Sequence, residues 1–402
     1  MSSEPHGRFK RWFWRPPRPH GEVIADRRVS VLELFYDLVY VAVIGQVAHH
    51  LAGHVSARGL AEFAVVFALI WIAWINGSLY LELHGREDGR TRSLVFVQMA
   101  ILVLLAVFTA EAATGSGRAF AVVYGAFLAV QTLLWFSVWR QDRRERPEYQ
   151  AATAGYVVGI GGSAALMGAS ALLPTTPRLW LWAGLGVAWI VGIVLAARSL
   201  GVGLGVTPTD SLVERFGLFT IIVLGEVVLG VVAGLSAVEP DALTIVTGMV
   251  ALWLGFGLWW IYFDLVGGRL PRGDGGAVSS WVVSHLPITG SITAAGAGMV
   301  SLIGHAHDPR APAGTSWLLA GAVATGLLAL VLTEQALVDA ERLSVVFSPL
   351  RLALVVGAAA ALVVGWLRPA PWLLALLLVA ILGAVWGFAV SRFLRADAWG
   401  QP

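Results

Sequence analysis

Long apolar runs, each close to a bilayer crossing in length, recur along the chain and are interrupted by short polar stretches. About 20 residues of helix span about 30 Å of hydrocarbon. On that measure the pattern predicts helices near 30–51, 60–82, 92–113, 118–139, 150–173 and 178–198. A second set is predicted near 211–235, 242–265, 279–303, 315–338, 349–367 and 371–393. The breaks carry turn chemistry, as in Leu173-Pro174-Thr175-Thr176-Pro177, Glu239-Pro240-Asp241 and Arg368-Pro369-Ala370-Pro371. The expected fold is an all-α polytopic membrane protein of about twelve transmembrane helices.

Composition sharpens that picture. Of 402 residues 57% are hydrophobic and only 13% charged, with a mean hydropathy of +0.76, which is more apolar than a soluble domain tolerates. The absence of cysteine excludes disulfides, thiolate metal sites and a cysteine nucleophile. Residues 1–29 hold seven basic side chains among Trp12, Phe13 and Trp14 but no apolar core. They read as a cytoplasmic segment lying on anionic lipid headgroups rather than as a cleaved signal.

The basic residues also orient the helices. Of 27 Lys and Arg, five (Arg58, Arg118, Arg178, Arg310 and Arg368) fall in connections on one side, which leaves 22 on the side of the N-terminus. Positive charge marks the cytoplasmic face, so both termini are expected there, in a bacterial inner membrane. The Arg140-Gln-Asp-Arg143-Arg144-Glu-Arg146 connection weighs most.

The two halves resemble each other. Trp71-Ile-Ala-Trp74 and Tyr80-Leu-Glu82 align with Trp253-Leu-Gly-Phe256 and Tyr262-Phe-Asp264, and Glu33 and Phe35 align with Glu214 and Phe216. The expected organisation is the segment 1–29, a six-helix repeat over 30–200, a second, parallel one over 210–395, and a cytoplasmic tail 396–402. Small residues in Gly155-Tyr-Val-Val-Gly159-Ile-Gly-Gly-Ser163 and in Gly290-Ser-Ile-Thr-Ala294-Ala-Gly-Ala-Gly298 predict close helix contacts. Pro287 predicts a kink and a cavity in the ninth helix.

Polar side chains inside apolar runs are the candidate chemistry. Glu33, Asp37 and Tyr40 share one stripe of the first helix, and Gln46, His49 and His50 lie on the opposite face further along. Glu33, Asp37, Glu82, Glu214, Asp264 and Glu334 all fall in the cytoplasmic parts of their helices. Either they form an acidic vestibule that gathers cations or exchanges protons, or each pairs with an interfacial arginine such as Arg215, Arg198 or Arg351. Glu226 lies roughly 18 Å beyond Glu214 among Val, Leu and Gly, where desolvation favours its neutral form unless a cation or a partner such as His285 reaches it. His49 and His50 are weak metal candidates, because adjacent helical side chains point about 100° apart. Gly201-Val-Gly203-Leu-Gly205 joins two membrane helices and is a flexible turn rather than a nucleotide fingerprint. No motif calls for a cofactor or for nucleic acid.

Glu33-Leu-Phe-Tyr-Asp37 leading into Gly45-Gln46-Val-Ala-His49-His50, together with Glu214-Arg215-Phe216-Gly217-Leu218-Phe219-Thr220 through Leu224-Gly225-Glu226, resembles the two signature segments of the bacterial low temperature requirement protein A family. The resemblance runs from about Arg28 to Arg395 and implies a multispanning membrane protein, with no mechanism attached. The residues themselves point to a proton- or cation-coupled transporter whose cytoplasmic access is Glu33 and Asp37 and whose deeper site is Glu226 with Gln46 or His285. Its partners would be membrane lipids and an unidentified small ion or molecule. A channel is the alternative: Phe35-Tyr-Asp37 faintly resembles the Phe-Ser-Asp first helix of a potassium-channel family, without a counterpart at Phe216-Gly-Leu218. A third reading, a lipid-modifying enzyme, lacks the Asp-rich motifs it needs.

Overall fold

Ser30-Val-Leu-Glu33 starts the first helix by a reciprocal cap: the Ser30 hydroxyl accepts the Glu33 N–H at 3.3 Å and the Glu33 carboxylate accepts the Ser30 N–H at 3.1 Å. The computed structural model that contains it describes residues 13, 15–22, 24, 27–86, 88–199 and 208–396. Most of the segment 1–29, the Gly201–Gly205 turn, the side chain of Arg198 and residues 397–402 lie outside the described residues.

Twelve long helices follow in order: α1 Val31–Gly53, α2 Ala57–His84, α3 Gly89–Thr109, α4 Gly117–Glu145, α5 Gln150–Ser170, α6 Thr175–Ser199, α7 Asp210–Ser236, α8 Ala242–Leu265, α9 Gly275–Gly304, α10 Ala313–Gln335, α11 Ser344–Leu367 and α12 Pro371–Arg395. Each contains a window apolar enough to cross a membrane. One-turn helices at Pro147–Tyr149 and Asp339–Arg342 complete the set, and no strand occurs among the described residues. The chain is an all-α, multi-pass membrane protein.

The predicted spans and these helices agree to within about a turn, and the departures have causes. α4 runs past residue 139 to Glu145, because its polar end is made of good helix formers and is anchored by Asp142, which is fully buried. α11 starts at Ser344 with Pro349 inside it, where the expected start was Pro349 itself. A proline one turn into a helix forfeits only one backbone bond near an end where several are already unmade.

By their internal contacts the helices form two compact units, Met1–Gln46 with Ala68–Arg215 and Val47–Phe67 with Phe216–Pro402. In the first, α4 packs on α3 and α5, around buried Trp71, Trp74, Trp135 and Trp182. In the second, α10 packs on α9 and α11, and α12 on α8 and α11. Large apolar side chains such as Val158, Trp180, Leu352 and Trp366 stay exposed, as suits a protein whose solvent is lipid.

The small residues divide in behaviour. In the second unit a methyl added at Gly296 would sit 2.6 Å from the Glu226 carbonyl oxygen, and one at Gly230 would meet the Gly296 backbone. The α7–α9 crossing therefore uses the close approach expected of the ninth helix. Gly155 and Gly159 of α5 are instead exposed and open to added atoms. In α9 the helix continues through Pro287, and a small cavity lined by Tyr262, Ile288, Ser291, Ile292 and Leu327 opens one turn beyond it.

Candidate functional site

The first unit holds a chain of buried charges that begins at the capping box. Arg27, just before α1, donates to Glu33 at 2.5 Å and also to the Glu82 carboxylate near the end of α2. It bonds the Leu81 carbonyl at 3.1 Å and the Ser211 hydroxyl at 3.2 Å. Glu82 accepts from Thr209 and Ser211 as well, each at 2.8 Å, while the Thr209 hydroxyl caps α7 by accepting the Leu212 N–H.

Arg215 extends the chain inward. It is fully buried, lies 3.8 Å from Glu33 and donates to Asp37 Oδ1 at 3.3 Å. Trp74 Nε1 donates to the same oxygen at 2.9 Å. Asp37 Oδ2, Arg215 Nε and Arg215 Nη1 are buried without a hydrogen-bond partner. Beside them Tyr36 and Tyr40, both fully buried, join hydroxyls at 3.1 Å. Arg18, buried at the end of α2, also acts on Glu82 and Arg27, so the three acids Glu33, Asp37 and Glu82 face three arginines. An oxygen of Asp37 left unpaired inside this network is costly.

The other predicted residues fall elsewhere. Glu214 is exposed and only touches the Val29 N–H at 3.4 Å. Gln46 and His49 are exposed. His50 lies 3.3 Å from Glu62, which Arg58 also holds at 2.8 Å, and among the described residues no His, Asp or Glu cluster is fit for a metal. Within the second unit Asp264 accepts from Trp386 at 2.7 Å, and Glu334 is paired with Arg351. Pairing with arginine thus holds for Glu33, Asp37, Glu82 and Glu334 among the acids, and the partners Arg215 and Arg351 are those named from sequence.

Glu226 is 5% exposed, and its Oε1 is buried with no hydrogen-bond partner. His285 is not its partner. The His285 ring lies between Phe216 and Trp281, its Nδ1 against the Trp281 carbonyl at 2.6 Å and its Nε2 against the Tyr262 hydroxyl at 3.1 Å. A carbonyl only accepts, so Nδ1 carries the proton and Tyr262 donates to Nε2. His285 is a satisfied core histidine. Glu226→Leu then removes an unsatisfied buried group instead of orphaning a partner, and it is expected to leave thermal unfolding in detergent unchanged or to stabilise by about 1–3 kcal/mol. A loss of that size would reveal a partner.

A second polar network went unseen in the sequence. His20 Nδ1 meets Asp142 Oδ1 at 2.9 Å, and Thr153 donates to Asp142 Oδ2 at 2.6 Å. Arg18 closes the end of α2, donating to the Leu83 carbonyl at 3.0 Å and to that of Glu82, while His84 Nδ1 bonds the Arg18 carbonyl at 2.7 Å. A guanidinium over terminal carbonyls satisfies groups the helix leaves open. Part of the basic N-terminal stretch is therefore built into the first unit: Arg18 and His20 are each 2% exposed. Nothing in residue spacing joins Arg18 to Glu82 or His20 to Asp142, whereas Ser30-x-x-Glu33 and the hydroxyls of Thr209 and Ser211 at the start of α7 were readable signals.

Comparison with known proteins places these residues in context. A family model described as "Bacterial low temperature requirement A protein (LtrA)" matches residues 28–386. An uncharacterized protein of Rhizobium meliloti (strain 1021) is 27% identical over 294 residues, covering 66% of this chain and 67% of that protein.

Proposed function

This chain belongs to the bacterial low temperature requirement A family, and from that premise we propose that it is a proton- or cation-coupled secondary transporter of the inner membrane. One observation carries the reading: Asp37 is buried beside Arg215 with a carboxylate oxygen that has no hydrogen-bond partner. A membrane-embedded acid in that condition is a site for an exchangeable cation. In the unloaded state Arg215 and Trp74 hold Asp37. A proton or small cation arriving at Oδ2 neutralises Asp37 and weakens the hold of Arg215. Glu226, buried and unpartnered, is the second carrier candidate. Parallel six-helix repeats, as expected from the sequence, would fit the same reading, since transporter sites commonly form where repeats meet.

The test is flux through purified protein in liposomes. An imposed pH gradient and an imposed potential should each drive proton or alkali-cation uptake at carrier rates. Absence of both fluxes overturns the proposal, and unitary current steps favour the channel.

Orientation is tested separately. Reporter fusions are expected to read cytoplasmic after Arg146 and after Arg395, and periplasmic after Pro312, because 22 of the 27 basic residues lie on one side in the twelve-helix scheme. A periplasmic reading after Arg395 would break that scheme.

A further inference from the structure

Two arginines in the first unit sit where a positive charge is least welcome. Arg178, in the first turn of α6, is 3% exposed, and a methyl added at Gly117, the first residue of α4, would collide with its Nη2. The guanidinium is therefore pressed against the N-terminus of a long helix, which is the positive end of the helix dipole. Its remaining contacts are long: Nη1 to the Leu173 carbonyl at 3.5 Å, Nη2 to the Thr175 hydroxyl at 3.4 Å, and the Trp182 ring at 5.7 Å. Its Nε is buried with no partner. The charged neighbour acting on it is Arg118, a second positive group. Glu111, in the same turn, is exposed and forms no ion pair with either arginine among the described residues.

The α4 terminus is itself open. Ser116 makes no side-chain cap, and the first backbone bond of the helix is from Phe120 N–H to the Ser116 carbonyl, so the N–H groups of Gly117, Arg118 and Ala119 have no acceptor among the described residues. Hydroxyls from Ser116 and Thr175 flank them. The Glu111 carboxylate turns to Gly115 instead, and the free amides, two guanidinium groups and two hydroxyls make a cradle for a tetrahedral oxyanion. Arg118 and Arg178 are also two of only five basic residues on the side that positive charge avoids, and an anion there removes that anomaly.

We propose that the α4 N-terminus, with Arg118, Arg178 and the Thr175 hydroxyl, binds a phosphate group, supplied either by a phospholipid headgroup or by free phosphate. The site lies at the opposite end of α4 from Asp142, about 38 Å along the helix, and does not depend on the transport reading.

Calorimetric titration of the full chain in a phosphate-free, uncharged detergent tests it, with inorganic phosphate as one probe and dihexanoyl phosphatidylglycerol as the other. Chloride at matched ionic strength is the control. Saturable binding of at least one probe is expected, lost in Arg178→Gln and weakened about tenfold in Arg118→Gln. The Arg118 side chain is exposed, so that variant keeps the test valid if Arg178→Gln does not fold. Tighter binding of the lipid identifies a headgroup site, and equal or tighter binding of phosphate identifies a soluble anion. Either result supports the proposal. No saturable binding of either probe, or binding unaltered in Arg118→Gln, overturns it.

Discussion

Asp37→Asn should leave the protein folded and reduce gradient-driven flux in liposomes to the level of empty vesicles. Asparagine has the shape of aspartate and still offers an oxygen to Trp74 Nε1, which holds Asp37 Oδ1 at 2.9 Å. What changes is the charge count. With Asp37 neutral, the cluster is fixed in the charge state that proton binding would otherwise produce. A group that cannot release its proton cannot complete a cycle. Flux equal to wild type in Asp37→Asn would remove the acid from the mechanism and leave it a packing role.

Arg215→Leu is expected to have the largest effect on stability, a loss of about 3–5 kcal/mol in unfolding experiments in detergent, because it leaves Asp37 buried without a cation while Glu33 keeps Arg27. Arg215 is wholly buried, with Glu33 and Asp37 as its charged partners. The sign of the coupling is the diagnostic. Adding Asp37→Asn to Arg215→Leu removes one orphaned charge, so the double variant should be more stable than Arg215→Leu alone. Simple addition of the two losses, or a single-variant loss below about 1 kcal/mol, would mean that water or lipid headgroups reach the cluster and screen it.

Much of this was legible in the sequence because hydrophobic length is a one-dimensional property. All twelve helices were predictable, since each has to cross the same thickness of hydrocarbon, and α8 matches its expected span of 242–265 at both ends. The stripe of Glu33, Asp37 and Tyr40 was equally readable, because helical periodicity sets which side chains share a face. Partners across helices were less so. Arg215 and Arg351 were nameable as interfacial cations, but the assignment of Arg27 to both Glu33 and Glu82 depends on the path of the chain before α1. His285 misled for the same reason: a histidine beside a helix-interior proline looks available until Tyr262 and the Trp281 carbonyl are seen to occupy both ring nitrogens. Glycine patterns were only half informative, since Gly155-Tyr-Val-Val-Gly159 and the stretch through Gly296 carry the same signal, and only the second meets a neighbouring helix backbone.

The contacts of Arg18 and His20 set an order of events during synthesis. These residues leave the ribosome before α1, yet their acceptors arrive much later: the α2 carbonyls some 65 residues on, and Asp142 after 122. Arg18 can close on α2 as soon as that helix is made, whereas His20 lacks its acceptor until α4 arrives. The docking of His20 is therefore a later step that reports the arrival of α4. A tag fused close upstream of Arg15 would act there, slowing the closing of the unit without altering the insertion of any helix.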